Sequence, residues 1–178
     1  MTTMPWNDWT VDDLDALPDD GFRYELVDGV LLVSAAPSDE HQIALTNLVA
    51  LMVSSCPPPM RVLVAPVDVR FSRIRQLQPD LIVLPDQRLG GPAARPLPLL
   101  AVEVLSPTTR ATDLTLKRHV FEQGGIPSYW LLDPLVPSLT VLELVDGAYV
   151  ERASVSGAQE YAALLPFPVS VVPELLLR

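Results

Sequence analysis

Gln78-Pro79-Asp80-Leu81-Ile82-Val83-Leu84, Leu100-Ala101-Val102-Glu103-Val104-Leu105 and Asp113-Leu114-Thr115-Leu116-Lys117 are the three runs on which the reading of this chain turns. The first two are short, apolar and rich in branched residues, the pattern of buried strands. Side chains alternate along a strand, so Leu100, Val102 and Val104 share one face and Ala101, Glu103 and Leu105 the other. An ionised Glu103 inside such a run costs several kcal/mol, on the order of any buried charge, unless a cation answers it. The third run supplies one. Thr112 is expected to cap a helix from Asp113 to about Gln123, stopped by Gly124-Gly125. On that helix the three-and-four spacing places Leu114, Lys117, Val120 and Phe121 on one face, turning Lys117 toward the sheet. Lys117 is the only lysine of the chain; the other eleven basic residues are arginines.

Five ordered blocks carry a resemblance. They are Arg23 to Gly29, Gln78 to Leu81, Glu103-Val104-Leu105-Ser106-Pro107, Asp113 to Lys117, and Tyr129 to Pro134. The order Pro79-Asp80, Glu103, Lys117 resembles the PD-(D/E)xK nucleases in the variant whose lysine has moved to the following helix. The five blocks together resemble the Uma2 family of endonucleases. The resemblance implies an α/β (α+β) restriction-endonuclease-like fold, a mixed sheet flanked by helices with additional hairpins, filling 1–178 as one domain. It also implies hydrolysis of phosphodiester bonds with Mg²⁺ or Mn²⁺ as cofactor. Asp80 and Glu103 would hold the ion, with the Val104 carbonyl and Glu25 adding ligands, and Lys117 would orient or deprotonate the attacking water. Val104-Leu105 leaves no lysine at the usual ExK position, so the chemistry rests on Lys117. The expected substrate is nucleic acid, DNA ahead of RNA, and the expected assembly a homodimer. The alternative is a degenerate nuclease fold serving as a binding or scaffolding module, its Glu103–Lys117 pair purely structural.

Composition bounds these readings. A length of 178 residues with 49% hydrophobic content suits one domain with a sizeable core. Cys56 is the single cysteine and His41 and His119 the only histidines, a poor set for a disulfide framework or structural zinc. Met1 to Trp9 lacks the pattern of a signal peptide, and no apolar run approaches the roughly 20 residues of a membrane helix. A cytoplasmic protein is the expectation. The net charge of −10 argues against a nucleic-acid binder, yet its distribution does not. From Arg61 to Arg118 nine cations face five anions, a local +4.

Along the chain, Thr10 to Leu17 reads as a short capped helix stopped by Pro18. Arg23–Val27 and Val30–Val33 form a hairpin about Asp28-Gly29. Ser38 caps a helix whose Ile43, Leu45, Leu48, Val49, Leu51 and Met52 make a broad apolar surface. His41, in its first turn, is expected at the mouth of the site or on a phosphate, or as an ordinary polar residue. Arg61–Ala65 and Val67–Phe71 read as strands, and Asp86 to Pro98 as a loop forming a mobile lip. Arg110 is a second candidate for substrate phosphate. Tyr129 and Trp130 are assigned to the core or a subunit interface, and Asp146-Gly147 turns a last hairpin. Tyr161 to Leu177 is apolar and interrupted by Pro166, Pro168 and Pro173, as for a segment docked on the body or on a partner.

Overall fold

The computed structural model describes residues 9–18, 20–85 and 96–178, with the backbone of Thr2–Thr3. Most of the Asp86–Pro98 loop, including Arg88 and Arg95, lies outside the described residues, as does nearly all of Met1–Trp9. Strand β1 (Thr2–Thr3) precedes α1 (Val11–Asp15), where the Thr10 N–H donates to the Asp13 carboxylate at 2.8 Å and ties the first turn. Strands β2 (Arg23–Val27) and β3 (Val30–Ser34) form the expected hairpin, with Asp28 and Gly29 both at positive φ. Helix α2 (Asp39–Ser55) starts at Ser38, whose hydroxyl accepts from the His41 N–H at 3.4 Å. It buries His41, Ala44, Leu48 and Met52, a narrower stripe than expected, and Ile43 faces outward.

Strands β4 (Arg61–Val64), β5 (Val69–Ser72), β6 (Arg75–Leu77) and β7 (Leu81–Leu84) follow. Sequence reading overlooked β6, a three-residue strand with too little alternation to register. Next come β8 (Leu100–Val104), a helical stretch built of α3 (Arg110–Thr112), a π-helical segment (Asp113–Lys117) and α4 (Arg118–Gln123), and β9 (Ser128–Asp133). The helix therefore begins earlier than expected. Thr112 lies within it and is not its cap. Strands β10 (Ser138–Val145) and β11 (Ala148–Ser156) make the last long hairpin through Asp146-Gly147, and β12 (Tyr161–Ala163), β13 (Val169–Val171) and a 3₁₀ turn (Pro173–Leu177) close the chain.

The main sheet runs β11-β10-β9-β8-β7-β4, and a second runs β1-β3-β2-β6-β5. All pairs in the main sheet are antiparallel except β8 with β9. Parallel neighbours need a crossover, and the 110–123 helical stretch provides it. The two faces of β8 meet different cores. Leu100, Val102 and Val104 pack with Trp130, with α2 through Leu48 and Met52, and with the C-terminal Phe167, Val171 and Leu176. Ala101 and Leu105 pack with Phe121, Tyr129 and Leu77 on the side of the crossover helix and the second sheet. The apolar C-terminal segment thus docks on the body, and Asn47 on α2 donates to the Leu176 carbonyl at 3.0 Å. This α+β arrangement of a mixed sheet, flanking helices and extra hairpins is the expected one. Glu103 occurs on the second face, turned to the crossover helix.

Candidate active site

Glu103 is 2% exposed at the centre of the sheet, and its cation is Lys117, itself 1% exposed. The ammonium Nζ lies 3.0 Å from Glu103 Oε1, 2.9 Å from Glu25 Oε2 and 3.4 Å from Asp113 Oδ1. Three elements therefore converge on one charge: β8, the first hairpin, and the helix that carries Lys117. The π segment shapes this inward face. A wider turn keeps Asp113 and Lys117 on one inward line, continued by Val120 and Phe121, and turns Leu114 out to 38% exposure. Leu114 is thus not on the inward face expected for it, because the period is locally longer than 3.6. Tyr129 supports the widened turn, its hydroxyl donating to the Asp113 carbonyl at 3.0 Å.

Asp80, immediately before β7, is 1% exposed and accepts three bonds. Arg23 Nη2 donates to Oδ1 at 2.8 Å, and Oδ2 accepts from the Val104 N–H at 2.8 Å and meets His41 Nε2 at 3.1 Å. Burial pushes the Asp80 carboxyl up, but the His41 contact with Arg23 and Lys117 overcomes it and holds the group well below the usual carboxylate range. Glu103 moves the other way. Burial pushes it well above that range despite Lys117, reinforced by Asp113, Asp80 and Glu25. Burial likewise raises Asp113. Burial opposes the charge on Lys117, yet Glu103, Glu25 and Asp113 hold it above its usual value. Neighbouring carboxyls driven apart in this way are a mark of acid–base sites. Asp80, Glu103, His41 and Lys117 line one cavity of about 290 Å³, together with Arg23, Ser34 and the 106–109 loop.

The family model described as "Uma2: Putative restriction endonuclease" matches residues 11–174. The chain belongs to the Uma2 family. It is also similar to a solved structure from Anabaena variabilis, titled a "putative nuclease belonging to DUF820", with 20% identity and a TM-score of 0.72. That alignment covers 94% of this chain and 97% of the other, and it establishes the shared restriction-endonuclease-like fold. Comparison with curated proteins finds no match.

In this Uma2 chain the structure brings Glu25, Asp80, Glu103, Lys117 and His41 together, with the Val104 backbone beside Asp80. Arg110 is not among them. From the start of the helix its guanidinium bonds to Asp133, the last residue of β9, and it does not line the cavity. Sequence reading missed Arg23 as a site residue. The available signal was spacing: Arg23 stands two residues from Glu25, hence on the same strand face.

Whether the pocket suits a divalent ion is a question of donors and charge. Among the described residues no three His, Cys, Asp or Glu side chains are arranged to cage an ion as they stand. Mg²⁺ does not require such a cage, since it keeps several waters and uses one or two carboxylates. Four buried carboxylates, Glu25, Asp80, Glu103 and Asp113, face two permanent cations, Arg23 and Lys117. The deficit of two charges equals that of one divalent ion, and burial among like charges raises Glu103 and Asp113. The all-oxygen donor set is also the one hard cations prefer. The residues fit.

Proposed function

We propose that this protein is a metal-dependent nuclease hydrolysing phosphodiester bonds in nucleic acid, DNA ahead of RNA. The observation that carries the proposal is Lys117, buried among three carboxylates on the wall of a cavity that also presents Asp80. The family description and the nuclease-titled neighbour support the same reading. Asp80 and Glu103 would hold Mg²⁺ or Mn²⁺, with the Val104 carbonyl and Glu25 contributing. When bound, the ion supplies Lewis-acid polarisation of the phosphoryl oxygen and a water of lowered pKa. The chain's own residues do the rest. Arg23, His41 and the Val104 N–H keep Asp80 ionised and fixed in orientation. Lys117 stays protonated at neutral pH, which favours positioning the attacking water and stabilising phosphoryl charge over general-base action. Glu25 is anchored by the Gln78 N–H at 2.8 Å and presents its other oxygen to Lys117.

One observation favours the rival reading of a non-catalytic module: Asp80 already has three donors, and Lys117 already has three carboxylates within 3.4 Å, one of them hydrogen-bonded. The test is cleavage of single- and double-stranded DNA and RNA with Mg²⁺, Mn²⁺ or EDTA, beside calorimetric titration with Mn²⁺. Metal-dependent cleavage lost in Glu103→Ala and Lys117→Ala supports the nuclease. Equal background from all three proteins and no Mn²⁺ heat supports the module. The proposal also includes a cytoplasmic homodimer, supported by exposed Leu164 and Leu175 on the docked C-terminal segment. A monomeric mass by light scattering at micromolar concentration would overturn the dimer.

A further inference from the structure

The cavity that holds Lys117 does not end at Arg23. A second cavity of about 310 Å³ adjoins it, and the two share Arg23, Ala35, Ala36, Pro37 and His41 as walls. The second is chemically unlike the first. Among the described residues no carboxylate lines it, its charged or titratable lining residues are Arg23 and His41, and its floor is apolar through Leu45, Ala65 and Pro66. Phe22 stands on its rim, 53% exposed although it is a large aromatic. Arg23, next in sequence, turns inward between the cavities. Among the described residues its guanidinium donates one hydrogen bond, to Asp80, out of five N–H donors, and the side chain keeps 21% exposure. Spare guanidinium donors beside ionised catalytic candidates form a fork suited to phosphate oxygens. Each cavity lies near the lower end of the range for small-molecule sites, room for a nucleotide-sized group and too little for a duplex.

We infer that the substrate is a single strand, with one nucleotide in each cavity, their joining phosphate on Arg23 and the outer base stacked on Phe22. This assignment rests on the nuclease reading and gives it a substrate class. Aromatic platforms beside a cationic groove are the general means of holding single strands without sequence preference. The −10 charge of the chain is no obstacle, because the described walls of the second cavity are free of carboxylates.

The test uses the full chain and fluorescent oligothymidylate in EDTA, so that binding is read without cleavage, by anisotropy, against a duplex of equal length. Wild type is expected to bind the single strand more tightly than the duplex. Phe22→Ala weakens single-strand binding about tenfold, and Phe22→Trp preserves it. Phe22 is exposed, so the fold tolerates both changes; circular dichroism checks this. Arg23→Gln weakens binding as well and reduces its salt dependence. Equal or tighter duplex binding, no single-strand binding, or no effect of Phe22→Ala overturns the inference. Cleavage with Mg²⁺ separates it from the nuclease reading. Single-strand binding lost in Phe22→Ala without cleavage by wild type sinks catalysis and keeps the strand path. Cleavage indifferent to Phe22 does the reverse.

Discussion

Lys117 keeps its full charge in a place where burial alone would strip it, and that depends on three carboxylates. Lys117→Met leaves all three buried without their cation. The expected cost is about 3–5 kcal/mol in urea unfolding, the range for breaking a buried ion pair from one side. Glu103→Gln is expected to stabilise the fold while abolishing activity. The folded protein raises the Glu103 carboxyl, so the stability from its proton is fully present below the unfolded value near 4.3 and is lost as pH rises through the folded value. The melting temperature of the Gln variant should therefore pull ahead of wild type at pH 8 and not at pH 4. Asp80 has the opposite sign. Its depressed folded value makes its stabilisation present above about 3.9 and lost only as pH falls through the lower folded value, so Asp80→Asn should lower the melting temperature at pH 7. The need for a cation at Glu103 was legible because an ionised acid in the middle of an apolar run demands a counter-charge. Arg23 was not, because an arginine opening a short strand looks like any solvated edge residue until the strand order is known.

The crossover helix shows where periodicity stops being a guide. A 3.6-residue repeat brings both Asp113 and Leu114 near Lys117; the wider π turn keeps Asp113 there and turns Leu114 out, and nothing in Asp113-Leu114-Thr115-Leu116-Lys117 announces the extra residue in the turn. Asp113→Asn removes the third carboxylate from Lys117 without touching the turn. The chain is expected to stay folded by circular dichroism while Mn²⁺ affinity or cleavage falls on the order of tenfold or more, as for loss of a ligand's supporting partner. A fully active Asp113→Asn variant would show this contact to be incidental. The helix end is placed as firmly. Gly124 closes α4, and a Cβ there would collide with the ring of Phe71, which packs edge-on against Phe121. Gly124→Ala should cost about 1–3 kcal/mol by overpacking, measured by denaturant midpoint. The glycine pair was readable as a stop, whereas its closeness to Phe71 depends on long-range pairing in the second sheet.

At the scale of the whole molecule, one sheet separates two cores, with Trp130 in one and Tyr129 in the other on successive residues of β9. A strand shared so evenly cannot leave one core and keep the other. Near-ultraviolet signals from the two cores and far-ultraviolet dichroism are therefore expected to give coincident thermal transitions; separated midpoints would argue for two units. The strands, their turns and the apolar tail were visible in sequence because each is a local pattern. Their distribution among three sheets was not, since β2 meets β6 through a single matched pair, Leu26 with Gln76, far apart along the chain. The parallel pairing of β8 with β9 has a consequence for assembly. Glu103, Asp113 and Lys117 are made consecutively and come together by short-range closure, whereas Glu25 arrives on a hairpin synthesised much earlier that must return across the sheet. Until it does, the three later charges stay in contact with water. The hairpin that closes over this polar heart also completes the core beside it through Val27 and Leu32, so a nascent chain delayed in docking it keeps its ion cluster wet.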